Sequence, residues 1–232
     1  MHILLTRPLE DSSEMIFKFK SLGHQVSHLP LLYIQKVNYK EINTSEYGGI
    51  IFTSANAVKF FHSEKFDKNI NCYCVGDVTE KRARSEGFQN TISAEGNVSN
   101  LKEIILQNYE AKDKFLLYVS GEIISSDLNN QLTNEGLRVK RIINYRSSHN
   151  QKIDENFLKE LQLNMPDIVY VYSQNSASSL LNIIKVNKLE DLWMNTNLMC
   201  LGEKTSAILN EIKWKKIFLF NPGEEEFLLY KI

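Results

Sequence analysis

Short apolar runs alternate along the chain with longer segments whose apolar residues recur at helical spacing, the pattern of α/β proteins built on parallel sheets. The runs predict strands over Ile3–Thr6, Gln25–Leu29, Gly49–Thr53, Cys72–Val75, Phe115–Val119, Val139–Asn144, Ile168–Tyr172, Leu198–Leu201 and Lys216–Phe220. Between them, Ser12–Leu22 puts Met15, Phe19 and Leu22 on one helical stripe, and Ile124–Thr133 and Ala177–Val186 read as helices in the same way.

The same patterns occur twice. Leu4-Leu5-Thr6-Arg7 followed by Leu22-Gly23-x-x-Val26 matches Leu116-Leu117-Tyr118-Val119 followed by Glu135-Gly136-x-x-Val139. Ile51 to Ala57 (IFTSANA) matches Val171 to Ala177 (VYSQNSA), and Cys74-Val75-Gly76-Asp77-Val78-Thr79 matches Cys200-Leu201-Gly202-Glu203-Lys204-Thr205. Three matches in one order, separated by roughly 110 to 130 residues, indicate duplication of a domain-sized unit.

Composition narrows the function. The chain has 232 residues, 43% of them apolar and 24% charged, enough for two ordinary globular domains and with nothing resembling a linker or disordered tract. Lys+Arg 27 against Asp+Glu 28 leaves no broad basic field for nucleic acid or an anionic membrane, so an anionic ligand must be held locally. No run is long enough to span a membrane and Met1–Leu5 is too short for a signal peptide, so a cytoplasmic protein is expected. Cys72, Cys74 and Cys200 are expected as buried thiols, because none of the five histidines supplies partners at metal-ligand spacing.

In open α/β sheets ligands bind beyond the carboxyl ends of the strands, where helix N-termini present N–H groups. All the repeated motifs lie there. Ser54 and Ser173 offer hydroxyls, Gly76 and Gly202 allow close backbone approach, and Thr79 and Thr205 stand at the openings of helices; N-capping alone is the simpler reading for each. Arg7 follows the first strand and can reach the same edge or form a structural ion pair, while Lys81, Arg82 and Arg84 read as a solvated helix face. Tyr145 ends the strand beginning at Val139, and Tyr33 holds the matching place in the first copy; both fit packing roles. Nucleotide-binding, zinc-hydrolase and serine-hydrolase motifs are missing.

Taken together, Leu4–Pro8, Ile51–Val58, Val75–Thr79, Glu86-Gly87-Phe88, Gly136-x-x-Val139 through Tyr145 and Leu201–Thr205 resemble the uroporphyrinogen-III synthase family, and Gly96-Asn97 with Leu101 is similar to that family's next helix start. The resemblance runs from the first strand to about Asn221. It implies two similar parallel-sheet α/β domains joined by a two-stranded linker, with the N-terminal segment exchanged into the domain of the C-terminal segment. Carried onto this chain, residues 1–33 plus 148–232 form one domain and 38–143 the other, with linker strands 34–37 and 144–147, and the substrate lies between the domains, which close on it. Two departures concern local turns: Asn210 to Trp214 lacks the family's usual glycine, and Ser173-Gln174-Asn175-Ser176 replaces a Ser-Pro-Ser type of turn.

The activity implied is cyclisation of hydroxymethylbilane to uroporphyrinogen III, with loss of water and inversion of the last pyrrole ring, in tetrapyrrole biosynthesis leading to haem or sirohaem. Such an enzyme is a hydro-lyase without cofactor or metal, monomeric, acting on a linear tetrapyrrole that the preceding pathway enzyme could hand over. The substrate carboxylates would be held by Ser54, Thr79, Ser120, Gly121, Ser173 and Thr205, with Gly76 and Gly202 in close approach, Arg7 as an ion-pair partner, and Tyr145 as proton donor to the leaving hydroxyl. The alternative is a noncatalytic two-domain protein closing on a small anion.

Overall fold

A computed structural model describes residues 1–94, 98–110, 113–221 and 223–226. The chain divides into two compact units, one of residues 1–33 and 148–232 and the other of 34–147.

In the first unit the strands are β1 (His2–Leu5), β2 (Gln25–His28), β9 (Ile168–Val171), β10 (Asn197–Leu201) and β11 (Lys216–Phe220), side by side in the order β11-β10-β9-β1-β2 and parallel throughout. Alternate side chains enter two cores, as a sheet covered on both faces requires. Leu4, Val169, Val171, Leu198 and Cys200 pack under α7 (Gln174–Val186) with Trp193 and Trp214; Ile3, Leu5, Ile168, Tyr170 and Met199 pack against Phe19 of α1 (Leu9–Ser21).

The second unit repeats this plan. Its strands β4 (Tyr47–Phe52), β5 (Asn71–Val75), β6 (Thr91–Ala94), β7 (Phe115–Gly121) and β8 (Val139–His149) lie in the order β6-β5-β4-β7-β8, with β3 (Leu32–Lys36) added outside β8. Matching β7, β8, β4, β5 and β6 to β1, β2, β9, β10 and β11 superposes the two orders: the first reads 2-1-3-4-5 along the chain, the second is a circular permutation of it, and each is a doubly wound sheet whose order reverses, between β1 and β9 or between β7 and β4. The backbone repeats as well. Ser54 and Ser173 have φ, ψ of −157°, 143° and −158°, 161°, and Gly76 and Gly202 have 75°, 154° and 79°, 163°.

The ladders correct one alignment. The helix caps match Ser54 with Ser173, which moves the match of Ile51 with Val171 by one residue and sets Ile50 against Val169; Leu4 faces Val169 and Leu117 faces Ile50, so Leu4 corresponds to Leu117 rather than Leu116. Both neighbours are apolar, and a shift of one residue in such a run is invisible in composition although it exchanges the two faces of the sheet. Arg7 then corresponds to Ser120.

All nine strands expected from the apolar runs form; among the described residues β6 is additional, and β3 overlaps the linker strand 34–37 that the resemblance implies. Leu22 is not on the buried stripe of α1: it caps the helix and is exposed. Tyr33 is 49% exposed on β3, so the packing role expected of it does not hold. The turn after α8 (Glu203–Leu209) closes without glycine because the buried Trp214 indole donates to Leu209 O at 2.9 Å, satisfying a terminal helix carbonyl. Gly96 and Asn97 lie outside the described residues, while Leu101 is buried on α4 (Val98–Asn108).

Candidate active site

The carboxyl ends of both sheets carry capped helix starts. In the first unit, Ser173 Oγ accepts from Ser176 N at 3.1 Å and lies 2.9 Å from Ser176 Oγ; this caps α7, so the unusual Ser-Gln-Asn-Ser sequence builds a regular N-cap. In the second, Ser54 Oγ accepts from Asn56 N at 3.2 Å and caps α2 (Ala55–Lys59). Gly76 and Gly202 cap α3 (Asp77–Ser85) and α8 with positive φ, and a Cβ at either would meet nothing within 4 Å. These two places let backbone approach a ligand at no steric cost.

Thr79 and Thr205 depart from the expected outward presentation. Each is the third residue of its helix and is buried. Their N–H groups bond Gly76 O and Gly202 O at 3.1 and 3.2 Å, and Thr205 Oγ1 donates to Leu201 O at 3.0 Å. Ser120 is also buried, its Oγ accepting from Arg141 Nε at 2.7 Å and donating to Gly121 O at 3.1 Å. Arg141 Nη2 donates further to Gly121 O and Glu122 O. Lys81, Arg82 and Arg84 form the solvated face expected, with Arg84 paired to Glu80 at 2.8 Å, a bond that with Thr91 holds the Glu80 carboxyl below its usual range.

Removing these hydroxyls should therefore be felt in the fold before the site. Ser54→Ala and Thr205→Ala are each expected to lower stability by about 1 kcal/mol, one losing a cap and the other a buried hydrogen bond. Denaturant midpoints and turnover on the same preparations check this; a loss of turnover above about a hundredfold would give that hydroxyl a direct chemical role.

Tyr145 occupies a made place. β7 and β8 pair regularly from Leu116 with Val139 to Ser120 with Ile143, then the register shifts and Gly121 pairs with Tyr145. Asn144 is the extra residue; its side chain turns inward, fully buried, and Nδ2 donates to Ala57 O at 2.7 Å. The bulge resets the alternation, so that Ile142 and Tyr145, three residues apart, pack on the same core. The phenol then lies on Gly121, where a Cβ would stand 2.7 Å from Tyr145 Cζ and 2.9 Å from Oη.

At the matching edge of the first unit, the Arg7 guanidinium carbon lies 5.0 Å from the Tyr172 ring centroid, and Arg7 Nη2 is 3.6 Å from Asp11. Burial raises the pKa of the Tyr172 phenol, so it is un-ionised at neutral pH, and Arg7 offsets a part of that rise. Tyr172, Arg141 and Asn144 were not singled out from sequence: each reads as an ordinary strand residue, and only the register places it at an edge.

These features define a duplicated, doubly wound α/β protein whose strand carboxyl edges present backbone groups, a guanidinium and a phenol. The chain belongs to the uroporphyrinogen-III synthase family: the family model described as uroporphyrinogen-III synthase HemD matches residues 13–219. A curated relative, the porphyrin biosynthesis protein HemD of Ruminiclostridium josui, is 22% identical over 218 residues, which are 88% of this chain but only 42% of the relative. Among solved structures, the Helicobacter pylori uroporphyrinogen-III synthetase is similar with a TM-score of 0.67 at 18% identity, over 100% of this chain and 99% of that one. A mutant uroporphyrinogen III synthase of Thermus thermophilus gives 0.61 at 14% identity, over 100% and 98%. The two likenesses are likenesses of fold. Among the described residues no helix is long and apolar enough to cross a membrane, and no three His, Cys, Asp or Glu side chains are grouped to hold a metal ion.

Proposed function

We propose that this chain is a hydro-lyase that cyclises hydroxymethylbilane to uroporphyrinogen III with inversion of the last pyrrole ring. The observation that carries the reading, in a chain of this family, is the Tyr145 phenol laid on Gly121 at the end of β7 by the bulge at Asn144. Loss of the terminal hydroxyl generates an electrophilic azafulvene and needs a hydrogen-bond donor, which a phenol O–H supplies. The substituted carbon of the last ring then attacks, and the resulting spiro intermediate fragments and recloses with that ring turned. The substrate is already reactive, so the protein's task is orientation.

Gly76, Gly202 and the helix starts they lead offer backbone donors near open space, and Arg7 offers a cation, so a near-neutral protein can seat a polycarboxylate locally. Ser54, Ser120, Ser173, Thr79 and Thr205 shape these edges, and Gly121 admits the phenol. The reading includes a cytoplasmic setting, supported by three unbridged buried cysteines, and receipt of substrate from the preceding enzyme of the pathway.

Isomer analysis of the product tests it. Hydroxymethylbilane closes unaided to the type I isomer, so the wild-type protein should yield type III; unchanged type I product would sink the proposal and leave a noncatalytic anion-binding protein. Exhaustive dialysis against a chelator should leave turnover intact. A loss restored by zinc or magnesium would overturn the cofactor-free part of the reading.

A further inference from the structure

Arg7 stands two residues beyond the end of β1, and its backbone is held on two sides: the His28 ring approaches Arg7 O with Nε2 at 2.7 Å, and Ser12 Oγ donates to the same carbonyl at 3.1 Å. The side chain is held differently. Its guanidinium lies over Tyr172, while its contact with Asp11 is longer than a hydrogen bond and exposed, a geometry of little energetic consequence. Tyr172 is itself fixed, 5.5 Å from the Phe220 ring in an edge contact and 6.4 Å from Tyr170, whose hydroxyl donates to Glu225 O at 2.6 Å. Arg7 and Tyr172 follow β1 and β9, the neighbouring strands between which the order of the sheet reverses.

The duplicated unit supplies a built-in comparison. The register puts Ser120 at the place of Arg7, and matching the helix caps Ser54 and Ser173 puts Thr53 at the place of Tyr172. The nearby guanidinium, Arg141, corresponds to His28 and is spent on Ser120 Oγ, Gly121 O and Glu122 O. One backbone frame thus carries a cation over an aromatic ring in the first unit and a phenol against a glycine in the second. A guanidinium lying on a ring keeps its in-plane N–H groups available for a carboxylate, and it does so without the disorder of a free arginine.

We infer that Tyr172 is a positioning residue, the platform that holds Arg7 as a seat for one substrate carboxylate; this deepens the proposed function and rests on it. The aromatic face is the working part of Tyr172, and its hydroxyl is dispensable. Losing one ordered cation–aromatic contact should weaken substrate binding about fivefold without slowing the bound reaction.

Steady-state kinetics with hydroxymethylbilane on Tyr172→Leu, Tyr172→Phe and Arg7→Lys test this, with Arg7 Nε–H observed by NMR in each variant that retains the arginine. Tyr172→Leu and Arg7→Lys should raise KM about fivefold with kcat within twofold, and Tyr172→Phe should match wild type. The ring current should shift the Arg7 resonance in wild type and Tyr172→Phe but not in Tyr172→Leu. Because Tyr172 is packed in a core, Arg7→Lys provides the kinetic result should the leucine variant fail to fold. A second arm needs no turnover: uroporphyrin, which bears the same acetate and propionate groups, should perturb Arg7 Nε–H in wild type. An unchanged KM in Arg7→Lys, or an unmoved Arg7 resonance on adding uroporphyrin, overturns the inference even if the enzyme makes the type III isomer. A wild-type protein that binds uroporphyrin through Arg7 but yields only type I product keeps the seat and refutes the reaction.

Discussion

Gly121→Ala is expected to abolish most of the turnover while leaving the fold close to intact. The backbone at Gly121 is not in the left-handed region, so alanine meets no conformational penalty there; the glycine is required by what lies above it. A methyl group would come within 2.9 Å of three atoms of the Tyr145 phenol, nearer than carbon atoms approach without repulsion. What yields is the ring, because it is the far end of a side chain while β7 is held by ladders on both sides. Displacement of about 1 Å follows, and a misplacement of that size at a reacting group costs on the order of a hundredfold in rate. Global stability should fall by no more than about 1–3 kcal/mol, the range for a tight core insertion that relaxes by side-chain motion. Circular dichroism, a denaturation midpoint and turnover on one preparation decide it. If the variant were fully active, the close approach of Gly121 and Tyr145 would be ordinary cross-strand packing.

How far the sequence predicted this arrangement depends on which physical signal marked each part. The strands were legible because a buried parallel strand is a short apolar run: Ile50-Ile51-Phe52 and Leu116-Leu117-Tyr118-Val119 can hardly be anything else. β6 was not, since Thr91-Ile92-Ser93-Ala94 is short, half polar and at the sheet edge, where one ladder and partial burial ask little of composition. The duplication was legible from Gly76 and Gly202 because a positive φ is a demand on residue type, and the two serines recur because an N-cap is another. Hydroxyl direction carries no such mark. Thr79 and Thr205 look like ligand groups in sequence, and only their place as third residues of their helices turns them inward. Tyr172 is hidden for the opposite reason: a tyrosine among Val169, Tyr170 and Val171 reads as sheet, and its pairing with Arg7 joins residues 165 apart, as 172 − 7 shows.

Tyr145→Phe separates the proposed proton donor from the surface that folds the substrate. The substitution removes one oxygen and leaves the ring that packs with Ile142 on the core of the second unit, so the bulge at Asn144 and the contact with Gly121 should persist. Stability should change by less than about 1 kcal/mol, since the lost group makes at most one hydrogen bond. Turnover should fall. Positioned acids contribute roughly 10²–10⁴-fold, but the pyrrole nitrogen already expels the hydroxyl, which puts the expected loss near the low end, about a hundredfold or less. KM should hold, because the proposed seats of the carboxylates are elsewhere, at Arg7 and at the glycine-led helix starts. The isomer formed enzymatically should remain type III: which carbon attacks is decided by how the chain is folded, and the phenol only governs how readily the leaving group departs. Measuring turnover, KM and isomer ratio together makes the distinction. A Phe variant that turned over at the wild-type rate would return Tyr145 to packing, and one that released mainly type I product would make the same residue part of the folding surface. Beside Gly121→Ala, which displaces an intact phenol, it also tells whether the hydroxyl or its placement is the larger requirement.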